Sequence, residues 1–166
     1  MSARPCEVPK IPLDLALYQP DIAQNTGAML RLCACFGLRL HIIHPAGFTF
    51  SRQSLRRSAL DYLEHADFSE HPSYADFTAW RLGAGRRLVL LTTKAPTSAY
   101  EARYAENDVI LVGRASAGVP DTVLADADLA LRIPMRQGRR SLNVAMAASL
   151  VLGEALRQTS GFAGLQ

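Results

Sequence analysis

Two kinds of apolar pattern alternate along this chain. LDLALY (Leu13 to Tyr18), LRLHIIHP (Leu38 to Pro45), LVLL (Leu88 to Leu91), DVILVG (Asp108 to Gly113) and DLALRIPM (Asp128 to Met135) are short, mostly aliphatic runs. They are too short for helices and too apolar for strands with one wet face, so they read as strands buried on both sides. Between them the apolar positions return every three or four residues. QPDIAQNTG is a polar turn, and Asn25 or Thr26 is placed to cap a helix running through AMLRLCACF to Gly37. Met29, Leu30, Cys33 and Phe36 share one face of that helix, and Arg31 lies off it. SRQSLRRSALDYLE (Ser51 to Glu64) is arginine-rich and either helical or looped. YADFTAWRL (Tyr74 to Leu82) is a short helix, and RSLNVAMAASLVLGEALRQ is a long, alanine-rich helix starting near Ser141. Strands alternating with helices predict an α/β fold: a largely parallel sheet with helices on both faces. The length suits a single domain over residues 1–166, with 1–12 and 159–166 as flexible tails, and no repeat or linker interrupts it.

In such sheets ligands bind beyond the carboxyl ends of the strands. Three loops occupy that position: Thr92 to Ala95, Gly113 to Gly118, and Pro134 to Ser141. The middle one, Gly113-Arg114-Ala115-Ser116-Ala117-Gly118, carries small side chains throughout except for one arginine. It is not a phosphate-binding P-loop, because Val119 and Pro120 stand where Lys and Ser/Thr are needed. It is not a nucleophile elbow either, because Arg114 replaces the first glycine of G-x-S-x-G. A pocket of backbone groups and small side chains suits a nucleoside-like ligand better than a triphosphate.

Composition narrows the setting. No apolar run is long enough to span a bilayer, and MSARPCEVPK lacks the apolar core of a signal peptide. Cys6, Cys33 and Cys35 form no CxxC pair and leave an odd count, which suits a reduced, cytoplasmic protein without disulfides, zinc or another metal. The net charge of +3 says little by itself, but the arginines cluster: Arg52, Arg56 and Arg57 in one segment, Arg136, Arg139 and Arg140 in another.

PDIAQNTGAMLRLC (Pro20 to Cys33), LVGRASAGVP (Leu111 to Pro120) and LRIPMRQGRRSLNVAMAASLVLGEAL (Leu131 to Leu156), in that order and spacing, resemble the three-motif pattern of the SPOUT-class RNA ribose 2′-O-methyltransferases. The likeness runs from about Leu13 to Gln158 and is strongest to small single-domain members that modify the wobble nucleotide of leucine tRNAs, cytidine or uridine 34. It implies a C-terminal deep trefoil knot, S-adenosylmethionine as cofactor with S-adenosylhomocysteine as product, a tRNA anticodon loop as partner, and a homodimer packed through the last helix. The alanines Ala145, Ala147 and Ala148 would allow close packing there.

The same resemblance implies roles for individual residues. Arg31 would stand beside the target ribose. A guanidinium keeps its proton in proteins, so it is a poor base and a better positioning and electrostatic group. Asn25, Ser141 and Asn143 would complete the catalytic set, although each also reads as a plain helix cap. Leu91, Thr92, Gly113, Arg114, Gly118, Ile133, Pro134, Met135, Ser141 and Leu142 would form the cofactor pocket, with the two glycines letting backbone approach the ligand. Arg56, Arg57, Arg139, Arg140 and Lys94 would meet RNA phosphates, or else form a solvated basic face. Tyr62 would close the active site. His41 and His44 read as packing or edge residues, His65 and His71 have no metal-spaced partner, and Cys33 and Cys35 read as packing along the first helix. One position departs from the pattern: Ala115 stands where the family carries an acidic residue. The alternative is therefore a catalytically impaired homologue that still binds cofactor or RNA.

Overall fold

The computed structural model describes residues 13–166; the expected tail over 1–12, with Cys6, lies outside them. Among the described residues seven strands form one sheet: β1 (Asp14–Tyr18), β2 (Arg39–Ile43), β3 (Asp67–His71), β4 (Arg87–Leu91), β5 (Thr97–Ser98), β6 (Asp108–Val112) and β7 (Leu129–Arg132). Their order is β3-β2-β1-β6-β4-β7-β5, and every pairing is parallel. Five helices cover it: α1 (Ala23–Phe36), α2 (Arg52–Ala59), α3 (Tyr74–Gly83), α4 (Asp121–Asp126) and α5 (Val144–Gln158), with a 3-10 turn at Leu60–Glu64.

The continuous apolar runs are explained by two cores, one on each face. Leu15 and Leu17 of β1, Ile110 and Val112 of β6 and Val89 of β4 pack with Met29, Leu30, Val151 and Leu152 of α1 and α5. The alternate residues Ala16, Tyr18, Val109, Leu111, Leu88 and Leu90 pack with Phe77 of α3 and Val123 of α4. Successive strand side chains point to opposite faces, so a strand buried on both must be apolar at every position.

Three elements carried no such signal. β3 (DFSEH) is a polar edge strand, tied to β2 by Arg39 on Asp67 at 3.2 Å and to the residue just after β2 by His44 on Glu70 at 2.8 Å. β5 has two residues and α4 six. The parallel register also gives His71 a partner that the sequence did not suggest. Its Nε2 lies 2.9 Å from His41 Nδ1, and His41 Nε2 lies 3.2 Å from Asp14 Oδ2, with Arg86 also on Asp14.

The expected cap of α1 and the expected packing of Cys35 are corrected. Neither Asn25 nor Thr26 caps α1: the helix begins earlier, after an extended Ile22 that makes no side-chain cap bond. Both residues already sit in its first turn, where Thr26 Oγ1 donates back to the Ile22 carbonyl at 3.3 Å. Cys33 is buried but Cys35 is exposed, because residues two apart on a helix point about 200° apart. Residues 159–166 fold back as turns. Gly161 N donates to Leu156 O at 2.7 Å, and the Phe162 ring meets Phe36 edge-on at 5.7 Å.

Candidate functional site

β1, β6, β4 and β7 end side by side, and the segments that leave them converge. Residues 91–94, 112–119, 133, 135, 140–142 and 144 wall a cavity of about 510 Å³, within the range of small-molecule sites. Of the expected cofactor residues, Leu91, Thr92, Gly113, Arg114, Gly118, Ile133, Met135, Ser141 and Leu142 all line it. Pro134 does not, because it lies between two lining residues with its own ring exposed. Lys94 and Arg140, expected at RNA, border the same cavity, whereas Arg139 does not. Lys94 also comes within 3.8 Å of Asp121 at an exposed position.

The two glycines of the middle loop have a more immediate purpose than ligand approach. Arg114 N donates to Gly118 O at 3.0 Å and Gly118 N to Arg114 O at 2.8 Å, so the loop closes on itself. A Cβ on Gly113 would lie 2.6 Å from the Gly118 carbonyl carbon, which no packing tolerates. Gly118 has φ +61°, left-handed backbone that other residues adopt at a cost. Arg114 is held with its guanidinium 5.8 Å from the Tyr18 ring centre. Its buried Nε finds no partner among the described residues, and Arg114 itself lines the cavity.

The loop is fixed from outside by a residue that the sequence reading did not single out. Asp21, in the turn between β1 and α1, accepts from Ala115 N (3.0 Å), Ser116 N (3.2 Å) and Ser116 Oγ. Burial alone would raise the pKa of this carboxyl. The Ser116 hydroxyl and the two amides outweigh that and hold it below its ordinary value. Nothing in single-sequence spacing could pair positions 94 residues apart.

Asn143 does cap α5: its Oδ1 accepts from Ala145 N (2.9 Å) and Met146 N (3.3 Å). Its Nδ2 donates to Asn25 Oδ1 at 3.0 Å, joining α1 to α5 beside the cavity. The cap is one of the expected readings of Asn143, whereas its bond to Asn25 carried no signal in the sequence. Ser141 is exposed three residues before α5 and does not start it.

Arg31 is exposed on α1 and lines neither this cavity nor the small void beside it. Its guanidinium carbon lies 5.2 Å from the Tyr62 ring centre, so the two residues are neighbours. Arg56 and Arg57 are exposed on α2, which packs closely on α1. That closeness depends on Gly27, where a Cβ would fall 1.8 Å from Ser58 Oγ. The glycine of N-T-G therefore sets the spacing between the helix that bears Arg31 and the helix that bears Arg56 and Arg57. Among the described residues, no group of three or more His, Cys, Asp and Glu is arranged to hold a metal ion, and no helix is long and apolar enough to cross a membrane.

A parallel sheet with a nucleoside-sized cavity at its strand ends, lined by these three segments, is the arrangement of a known methyltransferase class: the chain belongs to the SpoU rRNA Methylase family, which it matches over residues 12–153. It is 52% identical over 151 residues to the tRNA (cytidine(34)-2′-O)-methyltransferase of Ancylobacter novellus, a match covering 91% of this chain and 96% of that protein. The protein of the same name from Beijerinckia indica is 54% identical over 149 residues, covering 90% and 93%. A solved structure concerned with the 2-OH methylation of C/U34 on tRNA is similar at a TM-score of 0.84 and 43% identity, covering 90% of this chain and 97% of that one.

Proposed function

We propose that this protein transfers a methyl group from S-adenosylmethionine to the ribose 2′-oxygen of nucleotide 34, cytidine or uridine, in leucine tRNAs. The observation that carries the reading is the cavity of about 510 Å³ at the strand ends, adjoining the Asn25–Asn143 pair. Relatives more than half identical bear the name of this activity.

The cavity fits the cofactor in size and chemistry. Ile133 and Met135 offer apolar flanks for adenine, Leu91 closes one side, and Arg114 adds a polar side chain to the wall. When bound, S-adenosylmethionine supplies a methyl group activated on a sulfonium, a transfer that needs no metal. The protein's contribution is alignment and exclusion of water. Asn25 and Asn143 orient the ribose side of the site, with Ser141 at the start of the segment leading into α5. Arg31 clamps the neighbouring phosphate and stabilises charge on the 2′-oxygen, as a planar guanidinium does better than an ammonium. Arg56, Arg57, Arg139, Arg140 and Lys94 hold the anticodon loop through its phosphates, and the 2′-hydroxyl restricts the reaction to RNA.

The whole chain acts as one domain, with its C-terminal segment threaded into a trefoil knot, and it works in the cytoplasm as a homodimer. Ala145, Ala147 and Ala148 are not the free face of α5: Ala148 is fully buried in the protomer's own core, and the other two are half-buried. Met146 and Leu150 stand out instead, 62% and 45% exposed. Arg31 does not reach the cavity in its own subunit, which favours a two-fold dimer in which each subunit's arginine serves the other's site. Asp21 favours an active enzyme over an impaired homologue, because it already gives the loop a carboxylate despite Ala115. The test is to map methylated riboses in tRNA from cells with and without the gene. Loss of the mark at position 34 of leucine tRNAs alone is expected; an unchanged mark would overturn the proposal.

A further inference from the structure

The 113–118 loop presents two successive backbone amides, those of Ala115 and Ser116, to one acceptor. Consecutive amides aimed at a single point form an anion-binding concavity. Here it is filled from within the chain by Asp21, which uses both carboxylate oxygens and takes the Ser116 hydroxyl as well. Asp21 is itself braced. Gly47 N donates to Pro20 O at 2.9 Å, and a Cβ on Gly47 would stand 2.9 Å from Asp21 Cβ, so the segment after β2 is seated directly against it. Ala115 adds only a methyl group on this side. It borders both the main cavity and a small void, about 10 Å³, shared with Asp21 and Asn25.

We propose that Asp21 is the positioning residue of the cofactor loop: its carboxylate fixes the amides of Ala115 and Ser116, and with them the wall against which S-adenosylmethionine binds. The inference rests on reading the cavity as the cofactor site. Asp21 lies two residues before α1, which carries Asn25 and Arg31. The tie therefore also sets the cofactor wall relative to the helix on the substrate side. Asparagine is nearly the same shape but turns an N–H towards one of the three donors, so it cannot satisfy them all.

The test compares wild type, Asp21→Asn and Ser116→Ala by calorimetric titration with S-adenosylhomocysteine, by thermal melting without ligand, and by amide hydrogen exchange at Ala115 and Ser116. For Asp21→Asn the expected result is about ten-fold weaker binding, the worth of one charge-assisted hydrogen bond at a partly exposed site. Exchange at the two amides should accelerate, and the melting temperature should stay close to that of wild type. Ser116→Ala, which keeps both amide bonds, is expected to weaken binding by a smaller factor. Wild-type affinity in Asp21→Asn would overturn the proposal, as would a lowered melting temperature with affinity unchanged, the mark of a mere tether. If Asp21→Asn does not fold, Ser116→Ala decides: weaker binding sustains the proposal and unchanged binding overturns it. A wild-type protein that binds no S-adenosylhomocysteine would instead refute the reading of the cavity, and the role of Asp21 would fall with it.

Discussion

Replacing Gly113 by alanine separates two reasons why one loop needs two glycines. The new Cβ would lie 2.6 Å from the Gly118 carbonyl carbon, 2.8 Å from its Cα and 3.0 Å from its oxygen. These are backbone atoms, so no side chain can swing away. The loop has to open, and the two Arg114–Gly118 backbone hydrogen bonds are strained or lost. Overpacking of this kind costs about 1–3 kcal/mol. The loop is largely exposed, so it relaxes outward rather than unfolding the domain, and the cost appears where its shape is used. Binding of S-adenosylhomocysteine should weaken roughly 5- to 150-fold. Gly118→Ala meets nothing within 4 Å. It pays only the left-handed backbone penalty, about 1–2 kcal/mol. Gly118→Asn should lose less still, because asparagine tolerates that conformation, whereas Gly113→Asn should bind no better than Gly113→Ala. Calorimetric titration of the four variants gives the order. Gly113→Ala binding as tightly as wild type, or Gly118→Ala binding more weakly than Gly113→Ala, would refute the steric argument.

Three further outcomes follow from other parts of the molecule. Gly27→Ala drives a Cβ to 1.8 Å from Ser58 Oγ and 2.7 Å from Ser58 Cβ, so it should lower stability by about 1–3 kcal/mol in urea unfolding. Adding Ser58→Gly should restore part of the loss; no restoration would place the strain elsewhere. Burial, and then the adjoining His41, hold the His71 pKa below its ordinary 6.5, with Asp76 opposing them. The unfolded chain therefore takes up the proton more readily, and this stability is complete above pH 6.5 and lost as pH falls through the lower folded value. Urea midpoints measured from pH 7.5 down to about 5 should fall in wild type and fall less in His71→Gln; parallel curves would exclude His71 as the cause. Met146→Glu with Leu150→Glu puts charge on the exposed face of α5, and light scattering should shift from dimer to monomer mass with the circular dichroism unchanged. An unchanged mass would move the interface off that face.

The strands buried on both faces were the most legible part of the sequence, because Leu15, Leu17, Ile110 and Val112 on one side and Ala16, Val109 and Leu111 on the other leave no polar position to confuse the period. The same logic hid β3, whose edge position lets Asp67 and Glu70 face solvent. The cavity wall could be read from the strand-end loops, and most of the residues named for it line it. What a single sequence could not provide were contacts between distant segments: Asp21 on Ala115 and Ser116, Asn25 on Asn143, His41 on His71, and Ser58 in the space left by Gly27. Each depends on where the sheet order brings two turns or helices together. The spacing also misled where geometry is strict, at Cys35, at the cap of α1 and at the alanines of α5.

The most direct test is a single-turnover reaction of the purified protein with isotopically labelled S-adenosylmethionine and an unmodified leucine tRNA transcript. The transcript is then digested, and the nucleoside at position 34 is identified by mass. Labelled 2′-O-methyl nucleoside is expected at that position, without added metal. Loss of the product is expected in Arg31→Ala, with no effective rescue by Arg31→Lys and with S-adenosylhomocysteine binding retained in both variants. Label on a base, label at another nucleotide, or undiminished transfer by Arg31→Ala would contradict it.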